Sequence, residues 1–315
     1  MTSAVYLCRL HSNSWGGGYW YDSFCQEIDE YLYENEDVLV LFAAGNDGAV
    51  GYGSLLSPGL SKNALSVAAS YSTGTINDLP YFSSIGPAPD GRTKPDVTAP
   101  GFSITSANAN FAGNSAETCS TTIKAGTSMA TPVTAGTAAL ILQYFQDPAF
   151  WKAKCDPSYA LCARGPFTPK GSLTKALLMH SGVPMNQYQG ARPLGIVTLK
   201  HTPDIFQGYG RVNLANILTL SGYKDTPYTL FVEQAHLMPF TELVYKVTVK
   251  TLTKDLRVTL AWFDPPNPEF AARVLVHDID IVIVSPTMTQ YYGNSFEADK
   301  GVRDELNTVT YRIIS

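Results

Sequence analysis

The chain has 315 residues, 45% of them apolar and only 16% charged, a balance that excludes disorder and supplies a sizeable core. A formal net charge of −5 with no basic cluster argues against nucleic acid or an anionic membrane surface as partner. No apolar run is long enough for a membrane segment. From the amino terminus, Ala4 to Leu10 reads as a strand that runs into His11-Ser12-Asn13-Ser14-Trp15-Gly16. Phe24, Ile28, Tyr31 and Leu32 recur at helical spacing and predict a helix over Ser23 to Leu32, opened by a Ser23/Gln26 capping box. Val38 to Ala44 is an unbroken apolar run of strand length, as expected of a central parallel strand covered on both faces. It ends in Ala43-Ala44-Gly45-Asn46-Asp47-Gly48, bare backbone followed by an amide side chain. Ligands of open α/β sheets bind at that carboxyl edge. Asn46 can donate its NH₂ there to a developing oxyanion, or it can terminate a turn with Gly48.

Leu65 to Ala69 predicts a short buried strand, and Gly126-Thr127-Ser128-Met129-Ala130-Thr131-Pro132 then leads into a run of small and aliphatic residues ending at Leu142. Without a polar stripe, and too short for a bilayer, that run predicts a buried helix. A serine at its mouth has its own N–H among the orphan donors of the first turn, at the positive end of the dipole. A nucleophile and half of an oxyanion hole can therefore come from Ser128 alone, although Thr127 or Ser128 can equally serve as a plain helix cap. Pro132 falls at about the edge of that first turn, where a missing N–H costs least. Of the five cysteines, Cys155 and Cys162 bracket a short loop and are candidates for a local disulfide or for two separate thiols. Ser172 to His180 predicts a further helix, and a short one ends at Leu218.

After Gly222 the period changes to two. Leu243, Tyr245, Val247 and Val249 alternate with polar residues, as do Leu256, Val258, Leu260 and Trp262, then Ile279, Ile281 and Ile283. The change of rhythm predicts residues 1–221 as an α/β domain, with a mostly parallel sheet flanked by helices. It predicts 222–315 as an antiparallel β-sandwich or jelly-roll domain. Asp278 and Asp280, with Asp264, Glu297 and Asp299 nearby, can ligate calcium or can be solvated carboxylates on an exposed strand face. No Cys/His pair shows zinc-ligand spacing.

Four blocks, His11 to Gly16, Phe42 to Gly48, Lys94-Pro95-Asp96-Val97-Thr98-Ala99-Pro100-Gly101 and Gly126 to Pro132, occur in the order and with spacing like that of subtilisin-like serine proteases. The chain resembles that family, and Leu256 to Asn294 resembles the β-sandwich that follows the catalytic domain in one of its branches. The resemblance implies a serine endopeptidase acting on polypeptide, with Ser128 as nucleophile and Asn46 plus the Ser128 N–H as oxyanion hole. It implies Ser14-Trp15-Gly16 and Ala43-Ala44-Gly45 as the walls of the primary specificity pocket, with Asp47 near its far end. It requires no cofactor for catalysis and favours a structural calcium. Low charge with many Tyr, Ser, Thr, Gly and Asn residues suits a secreted protein.

The sequence departs from the family in one respect. The family's triad runs Asp, His, Ser along the chain, with both acid and base ahead of the Ser14 block. That block opens here at His11, which ends a strand-like run, and His180, His201, His236 and His277 have no family counterparts. The expectation is a fragment without the N-terminal part of the catalytic domain, cut again in a strand over 307–314, and inactive by itself. The alternatives are a non-catalytic homologue used as a binding module, or a nucleophile-elbow hydrolase drawing on Asp204 and His236. The second needs an apolar strand directly before Gly126, and the residues there are mostly polar.

Overall fold

The structure is a computed structural model that describes residues 8–109, 120–148, 166–218, 230–248, 256–294 and the backbone of 309–314. Four parallel strands, β1 (Leu10–Asn13), β2 (Leu39–Ala43), β3 (Leu65–Tyr71) and, after the short β4 (Asp78–Pro80), β5 (Val97–Phe102), form the central sheet in the order β1-β2-β3-β5. Register runs from Leu10 opposite Leu39 through Leu41 opposite Leu65 to Val67 opposite Val97. Because side chains alternate across a strand, β2 sends Leu39 and Leu41 to one face and Val40 and Phe42 to the other. Both sets are buried, as the unbroken apolar run predicts, and each fully buried Leu is worth roughly 1.5–3 kcal/mol.

Helix α1 (Ser23–Glu34) covers the Val40/Phe42 face through Ile28 and Leu32. Its cap is Asp22, whose carboxylate accepts from Cys25 N, so the Ser23/Gln26 capping box is off by one residue. After the antiparallel pair β6 (Ile104–Ala107) and β7 (Thr121–Lys124) comes α2 (Thr127–Gln146), which packs Ala130, Ala138, Ile141 and Phe145 onto the Leu39/Leu41 face. The expectation of a helix buried all round is corrected here. One stripe is buried, while Val133 and Leu140 are exposed, because among the described residues only the sheet side of α2 is covered. Helix α3 (Gly171–His180) adds Leu177, Leu178 and Met179 to the same core. A three-stranded sheet of β4, β8 (Gln187–Gln189) and β9 (Ile196–Thr198) flanks the body.

Beyond residue 230 the described strands form two antiparallel pairs. These are β10 (Leu256–Ala261) with β13 (Val309–Ile314), and β11 (Val282–Val284) with β12 (Gln290–Tyr292). The alternating run from Leu243 is not a strand over 243–248, and positions 249–250 lie outside the described residues. Val244 breaks the alternation, and Leu243, Val244 and Val247 are all exposed, so no buried face holds that run to a register. Ile279 and Ile281 likewise precede the strand predicted to contain them. The division at residue 221 and the Cys155/Cys162 pair lie outside the described residues. Among those described, Cys8 and Cys25 are free thiols, and no helix is long and apolar enough to cross a membrane.

Candidate active site

The segments that follow β1, β2 and β5 meet at the carboxyl edge of the sheet, and hydrogen bonds between side chain and backbone lock them together. Ser128 is the second residue of α2, so its N–H has no acceptor within the helix. Gly126 is the cap residue, and neither Thr127 nor Ser128 caps with its side chain. The cap comes from another segment. Asn46 Oδ1 accepts from Thr127 N at 2.9 Å and from Thr127 Oγ1 at 3.1 Å, and Thr127 Oγ1 in turn accepts from Gly45 N at 3.2 Å. Two donors on Oδ1 fix which way the amide faces and leave its NH₂ directed away from Thr127.

Pro132 is the sixth residue of α2, two residues past the first turn at whose edge the sequence places it. Its missing N–H leaves the Ser128 carbonyl without the usual partner four residues on. Ser14 Oγ donates to that carbonyl at 2.8 Å, and Ser128 Oγ donates to Ser14 O at 3.4 Å. The Ser14 hydroxyl thus ties the 14–16 segment to the serine helix. Trp15 is exposed and meets Phe24 and Phe42 edge-on at ring separations of 6.1 and 5.4 Å. Gly16 lies against Ser57 O, and the next residue pairs with Ser57 through Gly17 N to Ser57 O at 2.9 Å.

The opposite segment, Ala43-Ala44-Gly45, is buried and continues β2. Ala44 N donates to Val67 O at 3.0 Å and Ala44 O accepts from Leu56 N at 3.0 Å. Gly45 has φ +117°, and an added Cβ would come within 2.6 Å of Ser84 Oγ, so the position requires glycine on both counts. Asp47 points its carboxylate at Tyr19, whose hydroxyl donates to Oδ2 at 3.1 Å, and its N–H donates to Ser84 Oγ at 3.0 Å. That hydrogen bond and the carboxylate charge push the Tyr19 phenol above its ordinary pKa.

Ser14, Gly16, Ala43 to Asn46 and Ser128 thus lie together at this edge, with Trp15 and Asp47 beside them. Thr127, Tyr19 and Ser84 complete the arrangement and were not legible as site residues, since their role depends on which distant segment they touch. Among the described residues no imidazole is in hydrogen-bond reach of Ser128 Oγ. His11 is exposed on β1, His180 Nδ1 lies 2.9 Å from Thr259 Oγ1, and His277 Nδ1 lies 3.2 Å from Asp264. The nucleophile-elbow alternative also fails. Asp204 accepts from the N–H groups of Phe206 and Gln207 within its own turn, and β7 ahead of Gly126 is a largely exposed antiparallel strand.

No three His, Cys, Asp or Glu side chains among the described residues converge where a metal could sit. Asp278 faces Arg273 at 3.3 Å, and Asp280 lies two residues on, ahead of β11. Asp264 is fully buried against Lys62 at 2.6 Å and is no calcium ligand candidate, while Glu297 and Asp299 lie outside the described residues.

Comparison with known proteins bears on the same residues. A family model described as Peptidase_S8, the subtilase family, matches residues 6–210. The serine protease/ABC transporter B family protein tagD of Dictyostelium discoideum is 25% identical, the alignment covering 96% of this chain and 23% of that protein. The serine protease AprX of Bacillus subtilis is 37% identical over 120 residues, 35% of this chain and 27% of AprX. Among solved structures, sphericase aligns at 24% identity with a TM-score of 0.44, covering 65% of this chain and 56% of that one. The chain spans less than a quarter of the length of the tagD relative.

Proposed function

This chain belongs to the subtilase family, and on that premise we propose that it carries the nucleophile and oxyanion half of a serine endopeptidase site. Ser128 Oγ attacks the carbonyl carbon of a peptide bond, and the negative charge that develops on the carbonyl oxygen is met by Asn46 Nδ2 and the Ser128 N–H. The observation that carries this reading is the double hydrogen bond from Thr127 to Asn46 Oδ1, which preorganises the amide beside the serine. The walls Ser14 to Gly16 and Ala43 to Gly45 take an extended polypeptide, the backbone of the first pairing with it as an added strand.

The serine proton needs a base, and Ser14 O cannot serve as one. In this reading the Asp and His come from a polypeptide segment outside these 315 residues, and the chain by itself is inactive apart from a residual rate. The low charge supports work outside the cell, and the two antiparallel pairs after residue 256 are parts of the β-sandwich. Structural calcium at Asp278 and Asp280 rests on their spacing alone, since no third acid joins them among the described residues.

A fluorophosphonate probe tests the reading. The 315-residue chain should label slowly, and a polypeptide extended to supply the His and Asp should label rapidly at Ser128 and lose all peptidase activity on Ser128→Ala. Asn46→Ala in the extended polypeptide should lower turnover by about 10²–10³ with little change in binding, a magnitude measured on a subtilisin. Peptide binding without labelling in either polypeptide would instead support the binding-module alternative.

A further inference from the structure

Directly after β10 the chain crosses back over the body, and residues 264–276 are fastened to it at three places. At the first, Asp264 N donates to Asn63 Oδ1 and Asn63 Nδ2 donates to Asp264 O, both at 2.8 Å. The Asp264 carboxylate accepts from Lys62 Nζ at 2.6 Å and from the N–H groups of Val276 and His277 at 2.7 and 2.8 Å. At the second, Phe270 N donates to Tyr21 O at 2.7 Å. At the third, Val274 is 1% exposed in one core with Tyr21, Cys25, Ala44, Leu55, Leu60 and Ala88. Asn267 Nδ2 closes the intervening turn onto Arg273 O and Val274 O at 2.9 and 3.1 Å.

The location of that small core gives the crossing segment a role. Ala44 belongs to one proposed pocket wall, and Tyr21 follows the other, whose continuation is laced to Ser57 by Gly17 N to Ser57 O and Ser57 N to Gly18 O. The neighbouring Leu56 side chain lies directly against Gly45. Val274 therefore fills the space behind both walls, in a core separate from the one that joins α2 and α3 to the sheet. We propose that residues 264–276 are a positioning strap for the substrate pocket, with Val274 and the Phe270–Tyr21 hydrogen bond setting the separation of the 14–16 and 43–45 walls. The inference rests on the reading of those segments as pocket walls. A loosened strap weakens substrate binding more than it slows the chemistry at Ser128 and Asn46, because the Thr127 N–H still holds Asn46 Oδ1 when the walls shift.

Backbone hydrogen exchange on the 315-residue chain tests it with Val274→Ala, with Val274→Ile as the conservative control, and with Asn267→Ala, which loosens the turn without opening a cavity. Exchange at Gly17 and Ala44 should quicken by about tenfold in Val274→Ala and less in Asn267→Ala, while the amides of Leu177 and Leu178 keep their wild-type rates. Val274→Ile should stay near wild type. Affinity for a hexapeptide ending in Phe, measured by titration, should fall by about tenfold in Val274→Ala. Equal acceleration at Gly17, Ala44, Leu177 and Leu178 would overturn the proposal, because the strap would then be general mortar. If Val274→Ala does not fold, unchanged wall exchange in Asn267→Ala overturns it. Selectively faster wall exchange with unchanged peptide affinity supports the strap and overturns the pocket reading instead.

Discussion

The two ends of the parallel sheet are built from opposite chemistry. At the carboxyl ends of β1, β2 and β5 the key groups, Ser14, Asn46, Thr127 and Ser128, are all neutral, and the field comes from the first turn of α2. At the amino ends of β3 and β5 the molecule buries Lys62, Lys94 and Lys175 with Asp29, Asp96 and Asp264. Lys94 Nζ meets Asp96 at 2.6 Å, Lys175 Nζ reaches the carbonyls of Lys62 and Ala64, and Asp29 collects the N–H groups of Lys62 and Asn63. Burial pushes Lys175 down to about 8 and Asp29 upward, with the opposite charges nearby pulling each back. Buried charges tolerate no loss of partner, so they suit the end that must hold α1, α3 and the strap in one arrangement. Preformed neutral dipoles suit the other end under the proposed function, in which charge develops there only in the transition state.

The sharpest way to break this contrast is to remove one charge at the amino end. Asp264→Asn removes the carboxylate that meets the buried Lys62 at 2.6 Å and should lower stability by about 3–5 kcal/mol in urea unfolding. Ser128→Ala at the other end should stay within about 0.5–1 kcal/mol of wild type. Comparable losses from the two variants would mean that the charged end is not the structural one.

A second test uses pH. His180 at the end of α3 is pushed down to about 4, first by burial and then by Arg257, whose guanidinium donates to His180 O at 2.7 Å. Its ordinary value is 6.5, so between about 4 and 6.5 the unfolded chain binds more protons than the native one. Stability from this group is therefore level above pH 6.5 and falls as pH drops toward 4, by about 2 kcal/mol, since the ring keeps some solvent contact. His180→Gln should flatten that part of the stability curve, and an unchanged slope would reassign the acid sensitivity to the carboxylates.

Thr127→Val gives a smaller effect at the carboxyl end. It removes the hydroxyl that links Gly45 N to Asn46 Oδ1 but keeps the Thr127 N–H that also holds the amide. A stability loss of about 1 kcal/mol is expected, and in the extended polypeptide a smaller fall in turnover than Asn46→Ala produces. A fall as large as that of Asn46→Ala would show that the hydroxyl alone orients the amide.

How much was legible in the sequence follows the same division. The places of Ser128, Asn46 and Gly45 could be read because each needs a local context, a helix mouth or a strand end, that neighbouring residues announce. The β2 run and the α3 segment were legible for the same reason, as periodicity is local. The charged end was not. Nothing next to Lys62 or Asp264 marks them as partners 202 residues apart, and Asp264 read as a calcium candidate because a carboxylate's counter-charge is invisible until the chain folds. The run from Leu243 failed in the opposite way. A period of two is necessary for a strand but supplies no partner, and over 243–248 the run forms no strand and stays exposed.

The smallest expected effect concerns Asp47, which the sequence places near the far end of the pocket. Its Oδ2 is already engaged by Tyr19 OH at 3.1 Å, so a basic P1 side chain must share or displace that hydrogen bond. Both groups are solvent-accessible and screened, which limits any preference for Lys or Arg over Phe at P1 to roughly two-fold. Tyr19→Phe frees the carboxylate and should raise the preference to at most about five-fold, the upper range for an exposed ion pair. Asp47→Asn should abolish it, and so should salt near 1 M, where the screening length shrinks to about 3 Å. The measurement is the ratio of kcat/KM for Lys and Phe at P1 in the extended polypeptide, at low and high salt. Should neither variant move that ratio at low salt, Asp47 and Tyr19 serve only to tie two loops together, and the neutral character of the carboxyl end would extend to its rim.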